Sequence, residues 1–255
     1  MKDIILAAGY ATRLYPLTKN FPKPLLEVGG QTILDRLISD LDAIGDIDEH
    51  IVVSNGRFFG AFERWAADAR KRCRKPLVLL DDGSRDNEHR AGAVKDLLLA
   101  LERCAVDDDV LVAAADNLLD FSLESFVEEF RKKGTSLIMC HREESLQALQ
   151  KTGVVTLDDR MRVLLMEEKP QRPQSHWAVP PFYIYRRHDL PLIRRALAEG
   201  CACDAPGNLA RWLSARTTLH AFPIPGSRFD IGDLAALETA KQRFNEVQRN
   251  RNHEA

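Results

Sequence analysis

Four short apolar runs punctuate the first half of the chain, at residues 3–8 (DIILAA), 50–54 (HIVVS), 76–81 (PLVLLD) and 109–115 (DVLVAAA). They are too short for helices and lack the alternation of a half-exposed strand, so the pattern predicts strands buried on both faces. The stretches between them, 32–44, 58–72 and 91–104, carry apolar residues at helical spacing, with Ile33, Leu34, Leu37, Ile38 and Leu41 on one stripe. Strand alternating with helix implies a largely parallel sheet covered by helices on both faces. Sheets of this kind bind ligands at the carboxyl ends of their strands.

Beyond residue 134 the rhythm changes. The segments 136–140 (SLIMC), 153–157 (GVVTL), 162–166 (RVLLM) and 177–185 (WAVPPFYIY) read as strands with only turns between them, so antiparallel members are expected to join the sheet. Helices return over 189–199, 206–215 and 232–248, the last with a narrow apolar stripe of Leu237, Ala240, Phe244 and Val247. No Gly/Ser-rich linker or internal repeat divides the chain, which predicts one domain over 1–249 and a polar tail over 250–255. With the stripe covered by its own sheet or by a second copy, a monomer or homodimer is expected.

Composition narrows the classes. Of 255 residues, 45% are hydrophobic and 29% charged, ample for a core and unlike a disordered chain. A formal net charge of −2 speaks against a general nucleic-acid binder. The apolar run at 4–8 is far too short for a signal-peptide core or a membrane span, so a cytoplasmic protein with no membrane partner is expected. The five cysteines, at 73, 104, 140, 201 and 203, are odd in number and scattered, and imply neither a disulfide framework nor a zinc site.

The chemistry concentrates where the strands end. After the first strand comes a loop with Gly9, Arg13, Lys19 and Lys23, the last between Pro22 and Pro24. Glycine lets backbone N–H groups approach phosphate oxygens, an arginine adds a bidentate fork, and flanking prolines hold a lysine still. The stretch is neither a Walker A motif nor a dinucleotide fingerprint, so spacing alone leaves phosphate binding and a solvated basic turn both open. Asp116 closes the strand LVAAA on the same rim, and Asp230 stands in SRFDIGD before the last helix. Each alone reads as a helix cap; together they are a carboxylate pair of the kind that, with phosphate oxygens and water, holds Mg²⁺. Glu168 and Lys169, in EEKP, sit at a further strand end.

Taken in order, ILAAGYATRLYPLT, FPKPLLEVGG, Asp116-Asn117, MEEKP and FDIGD resemble the motifs of the sugar-1-phosphate nucleotidylyltransferases, the glucose-1-phosphate thymidylyl and uridylyl enzymes in particular, in a form without their C-terminal β-helix. The resemblance runs from residue 2 to about 245. It implies a Rossmann-like α/β nucleotidyltransferase fold and transfer of NMP from a pyrimidine NTP to a sugar 1-phosphate, giving an NDP-sugar and pyrophosphate. By the same resemblance Arg13 and Lys23 are catalytic. Leu6, Ala7, Ala8, Gly9, Gly92 and Asp116 contact the nucleotide, and Asn117, Glu168, Lys169 and Val179 contact the acceptor. Asp116 and Asp230 hold Mg²⁺.

The chain departs from the family in places that bear on specificity. Of the three glycines in the loop motif only Gly9 is kept, with Ala8 and Ala11 at the others; an alanine at a positive-φ position is strained. The segment that reads the base is DGSRDNEHRAGAVKDL over 82–97, and only Gly92 and the helix after it match. The wall over the sugar becomes Val179-Pro180-Pro181-Phe182-Tyr183, and 203–209 reads CDAPGNL. Asp233 stands where relatives have threonine and is expected to cap the last helix. Two alternatives follow: a cytidylyltransferase for a small non-sugar phospho-acceptor such as phosphocholine or a phosphonate, and a catalytically silent regulatory homologue. The retained Arg13, Lys23, Asp116 and Asp230 speak against silence.

Overall fold

A computed structural model describes the backbone of residues 1–253 and the side chains of residues 1–244. In chain order the first half contains β1 (Lys2–Leu6), β2 (Glu27–Val28), β3 (Gln31–Thr32), α1 (Ile33–Ala43), β4 (Glu49–Ser54), α2 (Phe59–Arg72), β5 (Leu77–Asp81), α3 (Ala93–Arg103) and β6 (Val110–Ala114). The second contains β7 (Asn117–Leu119), α4 (Glu124–Lys133), β8 (Ser136–Arg142), α5 (Leu146–Leu149), β9 (Gly153–Leu157), β10 (Val163–Glu168), β11 (Trp177–Val179), β12 (Phe182–Tyr185), α6 (Pro191–Ala198), α7 (Pro206–Ser214), β13 (Leu219–Pro223), β14 (Arg228–Asp230) and α8 (Leu234–His253). The main sheet runs β10-β9-β11-β8-β12-β6-β1-β4-β5, with β13 beside β8. β1, β4, β5 and β6 are parallel; β12 is antiparallel to both β6 and β8, and β9, β10 and β11 extend the antiparallel side. The α/β fold expected from sequence is thus present.

The parallel strands read as unbroken apolar runs because both faces are covered. Ile5 and Val52 face one core with Leu34, Phe62 and Phe126; Ile4 and Ile51 face the other with Leu97, Ile193 and Leu213. Helix ends obey local chemistry: Thr32 Oγ1 caps α1 by accepting from the Asp35 amide at 2.9 Å, and Gly134 closes α4 in the left-handed region. Among the described residues no helix is long and apolar enough to cross a membrane. All five cysteines are free.

Several elements differ from the pattern-based expectation. The run 177–185 is two strands, because Pro180 and Pro181 cannot donate to a ladder; β11 pairs with β8 and β9, whereas β12 crosses to β6. The single turn α5 lies where only turns were expected, β7, β13 and β14 are too short for a periodic signal, and α4 was overlooked although Leu123, Phe126, Val127 and Phe130 follow helical spacing. The β7–β14 pair joins residues more than a hundred positions apart and places Asn117 opposite Asp230. Leu237, Ala240 and Phe244 of α8 are covered by Leu14, Val28, Ile33, Leu118 and Ile231 of the same chain. Val247, Glu254 and Ala255, which belong to the expected stripe and tail, lie outside the residues whose side chains are described.

Candidate active site

The carboxyl ends of the parallel strands open into a cavity of about 650 Å³. Its floor is the end of β1: Ala7 extends the ladder by donating to the Val53 carbonyl at 2.8 Å, and Leu6, Ala7, Ala8 and Gly9 all line the space. The loop that follows is fixed from below. Buried Asn55 donates to the Ala8 carbonyl at 3.0 Å, and Tyr10 reaches the Ser84 hydroxyl at 3.1 Å. Ala11 lies at φ 47°, ψ 44°, held by a 2.8 Å bond from Thr18 Oγ1 to its carbonyl. The strain expected for alanine at a glycine position is therefore present, and it turns the chain into the short 3₁₀ turn that carries Arg13.

Lys23 is not the surface lysine that a Pro-Lys-Pro loop suggests. It is 6% exposed, and its Nζ donates to Asp116 Oδ2 at 2.8 Å. Asp116 is still half open to the cavity, and the Ile231 amide donates to its carbonyl at 3.2 Å, so Asp230 comes in beside it through the β7–β14 pair. A Cβ at Gly232 would lie 3.8 Å from the Arg13 guanidinium and 3.9 Å from Asp230 Oδ1, which puts both groups at one mouth of the cavity. Neither aspartate caps a helix. Asp233 does, accepting from the Ala236 amide at 2.9 Å.

Glu168, Lys169 and Val179 line the opposite side. Glu168 is wedged between two glycines: a Cβ at Gly207, in the first turn of α7, would fall 2.0 Å from its Oε2, and one at Gly153 would fall 3.1 Å away. Burial raises the pKa of that carboxyl despite the adjacent Lys169. Lys169 adopts φ 50°, anchored by its amide on the Thr152 carbonyl at 3.0 Å, and its side chain faces the cavity. Gly92, at φ 95°, packs so tightly that a Cβ would meet the Cys203 carbonyl oxygen at 2.5 Å. It too lines the cavity.

Asn117 stands apart from the other expected residues. It is 3% exposed and does not line the cavity; it donates to Asp116 Oδ1 at 2.7 Å and accepts from Arg228 Nη1 at 2.5 Å. From there it braces the Asp116 carboxylate and an arginine that sequence reasoning missed. Arg228 faces the cavity, 3.7 Å from Asp230 Oδ2, with its Nε buried and unpartnered. The signal was period two: in an extended segment Arg228 and Asp230 share a face. His141 was also missed, and Tyr183, Asp82 and Asp96 fell within the segments read as sugar wall and base-reading stretch without being singled out. Burial, then the Arg228 charge, lowers the His141 pKa, and burial raises that of Tyr183. For Asp96 the signal was a charged residue on the apolar stripe of α3.

Chemically, the cavity carries Arg13 and Lys23 with a pair of carboxylates at one station, Arg228 beside Asp230, and Lys169 on the opposite side, with Arg90 and Lys151 also on its lining. This suits two anions brought together against their repulsion. In sequence, the chain is 25% identical to a UTP–glucose-1-phosphate uridylyltransferase of Haloferax volcanii over 263 residues, covering 96% of this chain and 97% of that one. It is 29% identical to a glucose-1-phosphate thymidylyltransferase of Neisseria meningitidis over 196 residues, covering 72% of this chain and 61% of that one. Its fold superposes on a UDP-glucose pyrophosphorylase solved with UDP-glucose at a TM-score of 0.78, with 20% identity over 96% of this chain and 98% of that one. A protein of Bacillus anthracis solved with sucrose gives a TM-score of 0.83 at 23% identity, over 96% and 95% of the two chains. The family model described as nucleotidyl transferase matches residues 2–246, nearly the whole chain, and the protein is a member of that family.

Proposed function

We propose that the protein transfers a nucleoside monophosphate from an NTP to the phosphate of a sugar 1-phosphate, forming an NDP-sugar and releasing pyrophosphate. The observation that carries this reading is the pair made by buried Lys23 and half-open Asp116, 2.8 Å apart, in the cavity that Arg13 and Lys169 also line. An oxygen of the acceptor phosphate forms a bond to the α-phosphorus while the bond from that phosphorus to the bridging oxygen breaks, and its electron pair leaves with pyrophosphate. The attacking oxygen is already ionised at neutral pH, so no general base is required; positioning and charge neutralisation do the work. Arg13 holds the triphosphate and the departing pyrophosphate, and Lys23 bridges the phosphates near the reacting centre. Lys169 binds the acceptor phosphate, with Arg228 as a second cation. Glu168, held between Gly153 and Gly207, accepts from an acceptor hydroxyl.

The carboxylates fit Mg²⁺. Asp116 and Asp230 are part-exposed carboxylates on one cavity, hard oxygen donors of the kind and number that suit an ion which takes one or two carboxylates and completes its shell with phosphate oxygens and water. Asp116 and Asp230 would hold it, and when bound it neutralises phosphate charge as the transfer proceeds. On this reading the protein works in the cytoplasm as a monomer or homodimer.

Pyrophosphate release, measured for each NTP against sugar 1-phosphates and against phosphocholine, tests the reading. Release dependent on a sugar 1-phosphate and on Mg²⁺ is expected. Release with phosphocholine only would move the protein to the non-sugar class, and none with any pair would make it a silent homologue.

A further inference from the structure

One end of the cavity contains a group that phosphate transfer does not use. Asp96 lies on the buried stripe of α3 beside Val94, Leu97 and Ala100. It is 4% exposed, its Oδ1 is buried without a hydrogen-bond partner, and its side chain lines the cavity. Burial raises its pKa to about 7, and the Asp82 carboxylate adds to the rise. Asp82 lines the same end, but it already accepts from the Ser84 amide at 2.7 Å and from the Ser84 hydroxyl at 2.8 Å. Asp96 is the carboxyl left open. A buried acceptor without a donor is costly, and a ligand that supplies the donor removes the cost.

The sheet order says which part of the ligand reaches it. β5 and β10 are opposite edges of the main sheet, with β1 and β6, whose ends carry the phosphate-handling residues, between them. With the acceptor at the β10 end and the reacting phosphates in the middle, the nucleobase falls at the β5–α3 end. Uracil and thymine would present there an N–H flanked by two carbonyls, facing two carboxylates that, once ionised, only accept; the cation on this stretch of the lining, Arg90, precedes α3 and donates from Nη1 to the Asn87 side chain at 3.0 Å. Cytosine, adenine and guanine bring the N–H donors of an exocyclic amine.

We propose that this end of the cavity selects nucleoside triphosphates whose base carries an exocyclic amine, with Asp96 accepting from that amine. The inference rests on the nucleotidyl-transfer reading. Calorimetric titration of the full chain with CTP, ATP, GTP, UTP and dTTP, at pH 8 where Asp96 is ionised, tests it. At least one of CTP, ATP and GTP should bind ~10-fold or more tightly than both UTP and dTTP, and which one it is identifies the base. Asp96→Leu and Asp96→Asn, checked for folding by thermal melting, should both erase the preference while still binding triphosphate. The inference is overturned if UTP or dTTP binds as tightly as the best amine-bearing nucleotide, or if the preference survives in both variants. Binding without preference sinks this inference alone. No binding of any NTP sinks the transfer reading with it.

Discussion

The two ends of the parallel strands treat their polar groups in opposite ways. At the amino end, His50 is fully buried and both ring nitrogens are engaged, Nδ1 with Asp3 Oδ2 at 2.5 Å and Nε2 with Asp42 Oδ1 at 3.2 Å. Asp42 also accepts from the Arg74 and Lys75 amides, and the chain's own amino group is held by Asp48 at 2.7 Å. Among the described residues of this end, Asp3 Oδ1 and the hydroxyl of Tyr185, which pairs with Val110 at the start of β6, are left over. At the carboxyl end, Asp96 Oδ1, His141 Nδ1 and Arg228 Nε are buried without partners around one cavity. A closed network holds strands in register, whereas unpaired groups gathered on a cavity are stability given up for a ligand.

The sharpest way to break this contrast is at the closed end. His50→Ala leaves Asp3 and Asp42 buried without their cation and should cost ~3–5 kcal/mol, read from denaturant unfolding. Burial opposes the charged imidazole, but the hydrogen bond and charge of Asp3, joined by Asp42, raise its pKa. Its stabilisation is therefore complete below the unfolded value of about 6.5 and lost as pH rises through the folded one, and the variant should lack that alkaline decline.

At the open end the same kind of substitution should spare the fold and remove the chemistry. Asp116→Asn and Asp230→Asn should each lower transfer by ~10²–10³-fold; melting should be nearly unchanged in Asp230→Asn, whose carboxylate is about half exposed, and lowered in Asp116→Asn, which leaves the buried Lys23 ammonium without its counter-charge. Wild-type rates in either variant would dissolve the metal assignment. Lys169→Ala should instead act through the acceptor's KM.

Asp96 offers a test in which stability and function diverge. Its pKa of about 7 means that the native state keeps a proton that the unfolded chain releases near pH 4, so stability falls as pH rises from about 4 to about 7. Asp96→Leu should remove that fall and be more stable above pH 7, on the order of 3 kcal/mol. A variant no more stable than wild type there would mean that Asp96 is satisfied in the native protein. Last and smallest, Ala11→Gly relieves a left-handed alanine at some cost in backbone entropy; a gain of about 1 kcal/mol or less is expected in thermal melting.

How far the sequence could be read follows from the range of the interactions. Ile33, Leu34, Leu37, Ile38 and Leu41 appeared as a stripe and are buried on α1, because a helix is specified by neighbours one turn away. Gly9, Arg13, Lys23, Asp116, Glu168, Lys169 and Asp230 were legible as motif residues and all reach one cavity; convergence of strand ends on one rim of a parallel sheet accounts for the β1 loop and Asp116, whereas Glu168 and Lys169 come from the antiparallel side and Asp230 from the β7–β14 pair. Asn117 looked like a ligand residue for the same reason, yet its side chain turns to Arg228, a partner 111 positions away.

By itself, then, the sequence determined the alternation of strands and helices, the strained turn at Ala11 and the loop chemistry, since each depends on periodicity or on the backbone limits of a few adjacent residues. The tertiary structure alone decided which polar groups are paired. Gly207 makes room for Glu168, Cys203 presses on Gly92, and β14 joins β7 to bring Asp230 to Asp116. Whether a buried charge is a strut or a waiting ligand depends on what arrives beside it from elsewhere in the chain, and local pattern has no term for that.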